Sequence, residues 1–348
     1  VPPERLIVGP VTRYSTRNEI ITPLDPIQAL TTQIQFLTAV DYAQELLSAR
    51  HHAPSPGSKK RAQRIAAHVR IACAYVDQAR NGPPEVSFVP SYYAILNLIK
   101  VCILLGPSFQ GLDANRWHGA HYDVAKKDSR GLTTEQVVIH PRGAIALYYE
   151  TLSGRRLQKR RVLAIGDIYP FIGGVASEWE VATGRPLGTC ALRFRVLEAN
   201  RRKHLRIEVL RPRGRRDVKR NELPVVRTCS AVKGISNVFD SRTRFPDKVS
   251  DVELLRASLN PLWLYHPVAG LTIAPLYAGR LALFEELPLV VAFFHLSSVA
   301  RYKPEFMEKL RESRFWPVVA CMPADGLLRF LLLFWSYARQ ECIELKGF

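Results

Sequence analysis

Residues 91–106 read SYYAILNLIKVCILLG, a run that stays apolar on almost every side of a 3.6-residue helical turn. Only an element surrounded by other helices tolerates that pattern, so the stretch predicts a central helix from about Pro90 and Ser91 to Gly106 and Pro107. Just upstream, Ser58 precedes KKRAQRIAAHVRIACAYVDQAR, where Ile65, Val69, Ala72, Cys73 and Val76 make one buried stripe and Asn81, Gly82, Pro83 and Pro84 stop it. HHAPSPGS (51–58) is a loop. Further back, Asp25 and Pro26 form a cap and first-turn pair, and Ile27, Leu30, Ile34, Leu37 and Val40 recur at helical spacing to about Ala49.

Downstream the period changes. In CALRFRVLEA (190–199), Leu192, Phe194 and Val196 alternate with Arg193 and Arg195. In HLRIEVLRP (204–212), Leu205, Ile207 and Val209 alternate with Arg206 and Glu208. Period two means strands with one buried face, and NRRK (200–203) is short enough to join them as a hairpin. RPRGRRDVKR (211–220) reads as a second basic turn. Helices then return, one before Arg301, one opening at Pro304 and one from about Ala324. The fold class is α+β, mainly α: a helical bundle with a small antiparallel β insertion in the middle third. The boundaries expected are 1–57 for an N-terminal segment and helix, 58–160 for the bundle core, 161–247 for the basic β insertion, and 248–348 for a C-terminal helical region packing on the bundle.

Charge is the strongest global signal. The chain has 348 residues and a formal net charge of +18, and between Arg155 and Arg244 it carries 22 Lys and Arg against 8 Asp and Glu. Such a field attracts polyanions, nucleic acid ahead of an anionic membrane surface, with RNA ahead of DNA. A bias toward arginine explains Arg in place of Lys but not the local shortage of acids. Arg193, Arg195, Arg201, Arg202, Lys203, Arg206, Arg215 and Arg216 are the candidate phosphate contacts, on the outer face and tips of the hairpins.

Candidate chemistry gathers in RWHGAHYD, residues 116–123. His121 can take a 2′-hydroxyl proton and Arg116 can clamp the phosphate, with His118 or Asp123 orienting, which is what metal-free cleavage of RNA needs. A plainer reading stands beside it: Asn115 or Asp113 caps a helix, and His118 fills the first turn under Trp117. A second polar cluster lies near the C-terminus, where His295 and Ser298 share a helical face and Arg301 and Tyr302 follow. There Arg301 meets a buried carboxylate or a phosphate.

Taken together, SYYAILNLIKVCILLG, WHG, a basic β insertion and FFHLSSVARYKPEF resemble the YaaC-like proteins from about Ser58 to the C-terminus. The pieces that carry the likeness are Ser91-Tyr92-Tyr93, His118-Gly119, and Arg301-Tyr302 before Pro304. That resemblance implies fold more than activity. The tyrosine helix followed by a loop and His-Gly is also similar to HEPN domains, helical bundles of which many are metal-independent ribonucleases of toxin and antiviral defence systems. Their signature is an Arg, four to six residues, then a His. Arg116 with His121 fits it, and so does Arg61 with His68, whose His reads as partly buried and structural beside the Val69 stripe.

Other chemistries find little support. There is no GxxxxGK[ST] and no GxSxG, Gly173-Gly174 lacks a strand–turn–helix setting, and Glu285-Glu286 reads as acids of a first helical turn. No metal site and no cofactor is expected. The six scattered cysteines read as buried free thiols of a reducing compartment, and VPPERLIVGP shows no signal pattern, so a cytoplasmic protein is expected. The most apolar stretches, 95–106, 287–300 and 326–338, are shorter than a bilayer requires and read as core helices without a membrane span. A homodimer or a partner protein stays open. Two readings therefore remain, a HEPN-like ribonuclease and a non-catalytic nucleic-acid-binding or scaffold protein.

Overall fold

The computed structural model describes residues 4–6, 18–21, 25–51, 57–113, 117–122, 131–172, 175–184, 189–210, 217–226, 228–259, 267–268, 271–275, 286–340 and 342–345. The helices are α1 (Pro26–Gln35), α2 (Val40–His51), α3 (Ser58–Arg80), α4 (Pro84–Leu105), α5 (Ala144–Ser153) and α6 (Ala176–Thr183). There follow α7 (Asp251–Ser258), α8 (Glu286–Tyr302), α9 (Pro304–Arg311), α10 (Trp316–Ala320) and α11 (Leu327–Arg339). Strands β1 (Glu4–Leu6), β2 (Asn18–Ile21), β3 (Ala120–Tyr122), β4 (Gln136–Ile139) and β5 (Arg161–Ala164) precede the long pair β6 (Thr189–Ala199) and β7 (Arg202–Leu210). After it come β8 (Cys229–Ala231), β9 (Val238–Ser241), β10 (Phe245–Pro246), β11 (Pro267–Val268), β12 (Leu271–Pro275) and β13 (Cys342–Leu345). The fold is α+β and mainly α, with antiparallel sheets.

Two compact units divide the chain. The helical unit comprises 20–182, 286–339 and 345–348; the sheet unit comprises 1–19, 183–285 and 340–344. In the helical unit α4 is the axis, with α3, α5, α8 and α11 packed on it. Its side chains are buried on all faces, from Ser87 and Phe88 through Leu105, as the all-round apolar pattern requires. The carbonyls that α4 leaves unpaired at its C-terminus are met by arginines. Arg61 donates from Nε to Leu104 O and from Nη2 to Gly106 O (2.9 Å), and Arg50 reaches Leu105 O at 3.4 Å. Arg61, one half of an Arg-to-His spacing, is thus a buried helix cap whose guanidinium also lies 3.9 Å from the centre of the Phe109 ring.

The boundaries differ from expectation at three places, each for a local reason. The first predicted helix is two, because Phe36–Thr38 tightens to a 3-10 turn and Ala39 turns extended (ψ 118°). The cap of α1 is as expected, Asp25 accepting from Gln28 N at 2.9 Å. Helix α4 starts at Pro84 rather than near Pro90. A proline that stops one helix also suits the first position of the next, and the carbonyl that Pro90 leaves unbonded belongs to exposed Val86. The same extension makes Pro84–Leu105 a 22-residue helix, and α10 runs through a π-helical turn into α11 as a 24-residue run, Trp316–Arg339. Both are long and apolar enough to cross a membrane, contrary to the lengths expected, although 83% and 61% of their most apolar windows are buried inside the protein.

The sheet unit is built on the expected alternation. Leu192, Phe194, Val196, Leu205, Ile207 and Val209 all face one core with Phe239, Leu254 and Leu255. The sheet runs β11-β12-β6-β7-β9-β8, with β1 also on β6 and β10 also on β7. The hairpin is tighter than NRRK suggested: Asn200 and Arg201 alone make the turn, both left-handed (φ 54° and 57°), and Arg202 already pairs with Ala199. Cys73, Cys102, Cys190 and Cys229 are buried free thiols.

Candidate functional site

The stretch 117–122 is not a helix start. Trp117 and His118 lead into β3, and the first amides of α5 donate to their carbonyls: Ala144 N donates to Trp117 O (2.9 Å) and Ile145 N to His118 O (3.0 Å). The two backbones meet at glycines. Gly119 has φ +84° and Gly143 φ +105°, and a Cβ on Gly143 would lie 2.4 Å from Gly119 Cα. This clamp fixes His118. Its ring packs on Tyr92 and Tyr93 of α4, at 5.5 and 6.2 Å between centres, while Trp117 turns away to His140. His118 Nδ1 and Tyr92 Oη share a hydrogen bond of 2.5 Å. Burial lowers the His118 pKa, and Lys100 and Arg301 lower it further, so the imidazole is neutral near pH 7. Burial likewise raises the Tyr92 pKa, keeping the phenol protonated.

Arg301 comes from the last turn of α8. It donates from Nε to Ser297 O (3.0 Å) and from Nη1 to Tyr93 Oη (3.3 Å), and its guanidinium lies 4.9 Å from the centre of the exposed Tyr302 ring. Among the described residues no carboxylate meets it, so the ion pair expected there is replaced by aromatic faces. His295, expected beside Arg301, serves a different group. It is fully buried, with Nε2 3.5 Å from Glu135 Oε2, and Tyr122 of β3 donates to the same carboxylate oxygen. Burial alone would raise the Glu135 pKa, but His295 and the Tyr122 hydroxyl outweigh it and hold the carboxyl below its ordinary value. Burial pushes His295 down.

Of the other residues named from sequence, His121 stands exposed on β3, and Arg116, Asp123, Arg215 and Arg216 lie outside the described residues. The strand arginines are held by carboxylates. Glu208 takes Arg195 at 2.7 Å and Arg193 at 3.6 Å, and Asp240 takes Arg206 through two bonds of 2.9 and 3.0 Å. Lys203 is only 5% exposed. Arg201 and Arg202, at the tip, are exposed. Sequence reading missed Tyr92 as a partner of His118, and it missed Lys60, Arg64 and Lys100. These last line a cleft of about 500 Å³ with His68, Leu112 and Asp113. The visible signal for them was the four-residue spacing of Lys60, Arg64 and His68 on α3. Among the described residues no cluster of His, Cys, Asp and Glu is arranged to hold a metal.

No curated protein and no solved structure matches the chain. The HEPN likeness therefore has no counterpart among these matches, whereas residues 35–187, the segment holding Tyr92, Tyr93 and His118, match the model of the YaaC-like Protein family; Arg301 and Tyr302, also expected to carry that likeness, lie outside the match.

Proposed function

We propose that the chain binds RNA and cleaves it without a metal, with His118 as the general base. The observation that carries this reading is the neutral, clamped imidazole of His118 beside two cations, Lys100 and Arg301. When His118 Nδ1–H donates to Tyr92 Oη, Nε2 keeps its lone pair and can take the proton of a 2′-hydroxyl. The freed oxygen attacks the adjacent phosphorus, the bond from phosphorus to the 5′-oxygen breaks, and that oxygen leaves with a proton from water. A 2′,3′-cyclic phosphate and a 5′-hydroxyl end result. Lys100 and Arg301 would stabilise the charge that grows on the phosphorane. The base moves from His121, which stands exposed on β3, to His118, whose orientation is fixed by the glycine clamp.

Incubation of the purified chain with total RNA in EDTA tests this. His118→Ala should remove cleavage by a factor of about 10² or more while RNA affinity stays near wild type, because a general base contributes mainly at the transition state. Cleavage should rise with pH through a value below the ordinary histidine pKa of about 6.5 and level off by neutrality. Retained cleavage in His118→Ala would reject the assignment. Binding without cleavage in the wild type would favour the non-catalytic reading, in which the charge of the chain serves only to hold RNA.

A further inference from the structure

Lys60, Arg64 and His68 stand on one face of α3, about 6 Å apart along the helix axis at each step, and Lys100 of α4 lines the same cleft of about 500 Å³. Asp113 is the one carboxylate in the lining. It holds Arg64 through two bonds, Nη2 to Oδ1 at 2.9 Å and Nη1 to Oδ2 at 3.3 Å. Among the described residues no carboxylate pairs with Lys60 or Lys100. Three cations against one carboxylate leave an excess of two positive charges in a concave setting, with Lys60 and Asp113 exposed and Arg64 and Lys100 partly buried. His68 is oriented as well. Asn97 Nδ2 is committed to Tyr93 O at 2.8 Å, so Asn97 Oδ1, 2.9 Å from His68 Nδ1, accepts, and the neutral ring keeps its lone pair on Nε2.

We infer that this cleft binds a phosphate monoester, carried by the end of an RNA strand or by a free mononucleotide. The charge argument selects the class. A carboxylate or an internal phosphodiester brings one negative charge, whereas a monoester, whose second ionisation falls near pH 6, approaches two at neutrality and matches the excess. Arg64, kept in plane by Asp113, offers directed donors, and Lys60 and Lys100 offer point charges. A bound dianion also changes His68. Burial, and then Lys100 and Arg64, hold its pKa down in the free protein. With the dianion set among Lys60, Arg64, Lys100 and Asp113, protonation of Nε2 gains a partner, so binding takes up a proton. The site shares Lys100 with the cleavage reading but does not require cleavage.

Calorimetric titration of the intact chain with adenosine monophosphate, and with adenosine as the uncharged control, tests the inference. The monophosphate should bind and adenosine should not. The double variant Lys60→Ala, Arg64→Gln should weaken binding by about tenfold or more with an unchanged circular-dichroism spectrum and melting temperature. Titration near pH 6.5 in two buffers of different ionisation enthalpy should show more proton uptake by the wild type than by His68→Gln, whose binding only releases the protons that the monoester gives up on becoming a dianion. Short RNA with a 5′-phosphate or a 5′-hydroxyl separates the sources: a preference for the phosphorylated end assigns the site to strand ends, and equal binding of the two RNAs beside phosphate-dependent mononucleotide binding assigns it to free nucleotides. His118→Ala should bind the monophosphate as wild type does, so loss of cleavage and loss of this site read out separately. Equal affinity for monophosphate and adenosine, or full binding by the double variant, overturns the proposal.

Discussion

In the sheet unit the strand arginines named from sequence are answered by carboxylates, whereas in the helical unit the cations around two histidines are not. In the sheet, two carboxylates answer three arginines: Glu208 lies between Arg193 and Arg195, and Asp240 forks onto Arg206 with His204 3.7 Å away. The antiparallel register sets Arg193 opposite Glu208 and Arg206 opposite Asp240, so the basic stripe is mostly a cross-strand ladder. In the helical unit fewer cations do more. Lys60, Lys100 and Arg301 have no carboxylate partner among the described residues, and they surround two histidines whose orientation is fixed by neighbours. Counting charges along a chain therefore locates an excess but not its free end.

The largest expected effect breaks the helical side of this contrast. Gly143→Ala places a Cβ 2.4 Å from Gly119 Cα and 2.6 Å from Gly119 N, at a φ of +105°. Both contacts are backbone to backbone and cannot yield by a side-chain turn. Destabilisation should exceed about 3 kcal/mol, which for a unit of this size lowers the melting temperature by roughly 6–12 °C. Gly154→Ala is the control, with φ +66° but nothing within 4 Å of the added carbon, and should cost about 1 kcal/mol. Thermal melts that rank the two equally would remove the clamp as the device that holds His118.

Helix α4 and the β6–β7 pair were legible because their signals are local and long: an apolar run of sixteen residues in one, strict alternation in the other. The start of α4 was not, since Pro83-Pro84 punctuates in both directions. RWHGAHYD was misread for a deeper reason. Whether His118 begins a helix or enters a strand is decided by Gly143, 25 positions away, and no periodicity carries that contact. Likewise Arg301 finds Tyr93 and His295 finds Glu135 far along the chain, so a cluster named by neighbouring numbers separated into two groups. The tyrosines and the His-Gly were both noticed; that they touch was a fact of tertiary structure.

A second expectation follows from the histidines. His68, His118 and His295 in the helical unit, and His204 in the sheet unit, all have pKa values lowered first by burial. The unfolded chain takes protons near pH 6.5 that the folded chain refuses, so the stability these groups contribute is present above that value and is lost as pH falls below it. Urea unfolding at about pH 7.5 and about pH 5.5 should show the loss. It should be larger for the helical unit, with three such histidines, than for the sheet unit, where Asp240 opposes the shift of the one. Stability that grows on acidification to about pH 5.5 would mean that the buried imidazoles are charged partners rather than neutral ones.

The smallest effect falls on the exposed tip of the β6–β7 hairpin. Arg201 sits at the second left-handed position of the hairpin turn, where glycine is preferred, so Arg201→Gly should stabilise the hairpin by about 0.5–1 kcal/mol. It also removes an exposed cation. If the tip touches a phosphate of single-stranded RNA, the slope of log affinity against log salt should shrink by about 0.7, and by about twice that when Arg202 is also replaced. Arg193→Gln and Arg206→Gln, taken from the ladder, should leave the slope alone, because their charges are already answered. An unchanged slope in the tip variants, beside a reduced one in Lys60→Ala, would place RNA contact in the helical unit and leave the β6–β7 hairpin with a structural use for its arginines. A reduced slope in Arg206→Gln would instead mean that the cross-strand pairs open to bind, and that availability is not set by the partners a cation has in the free protein.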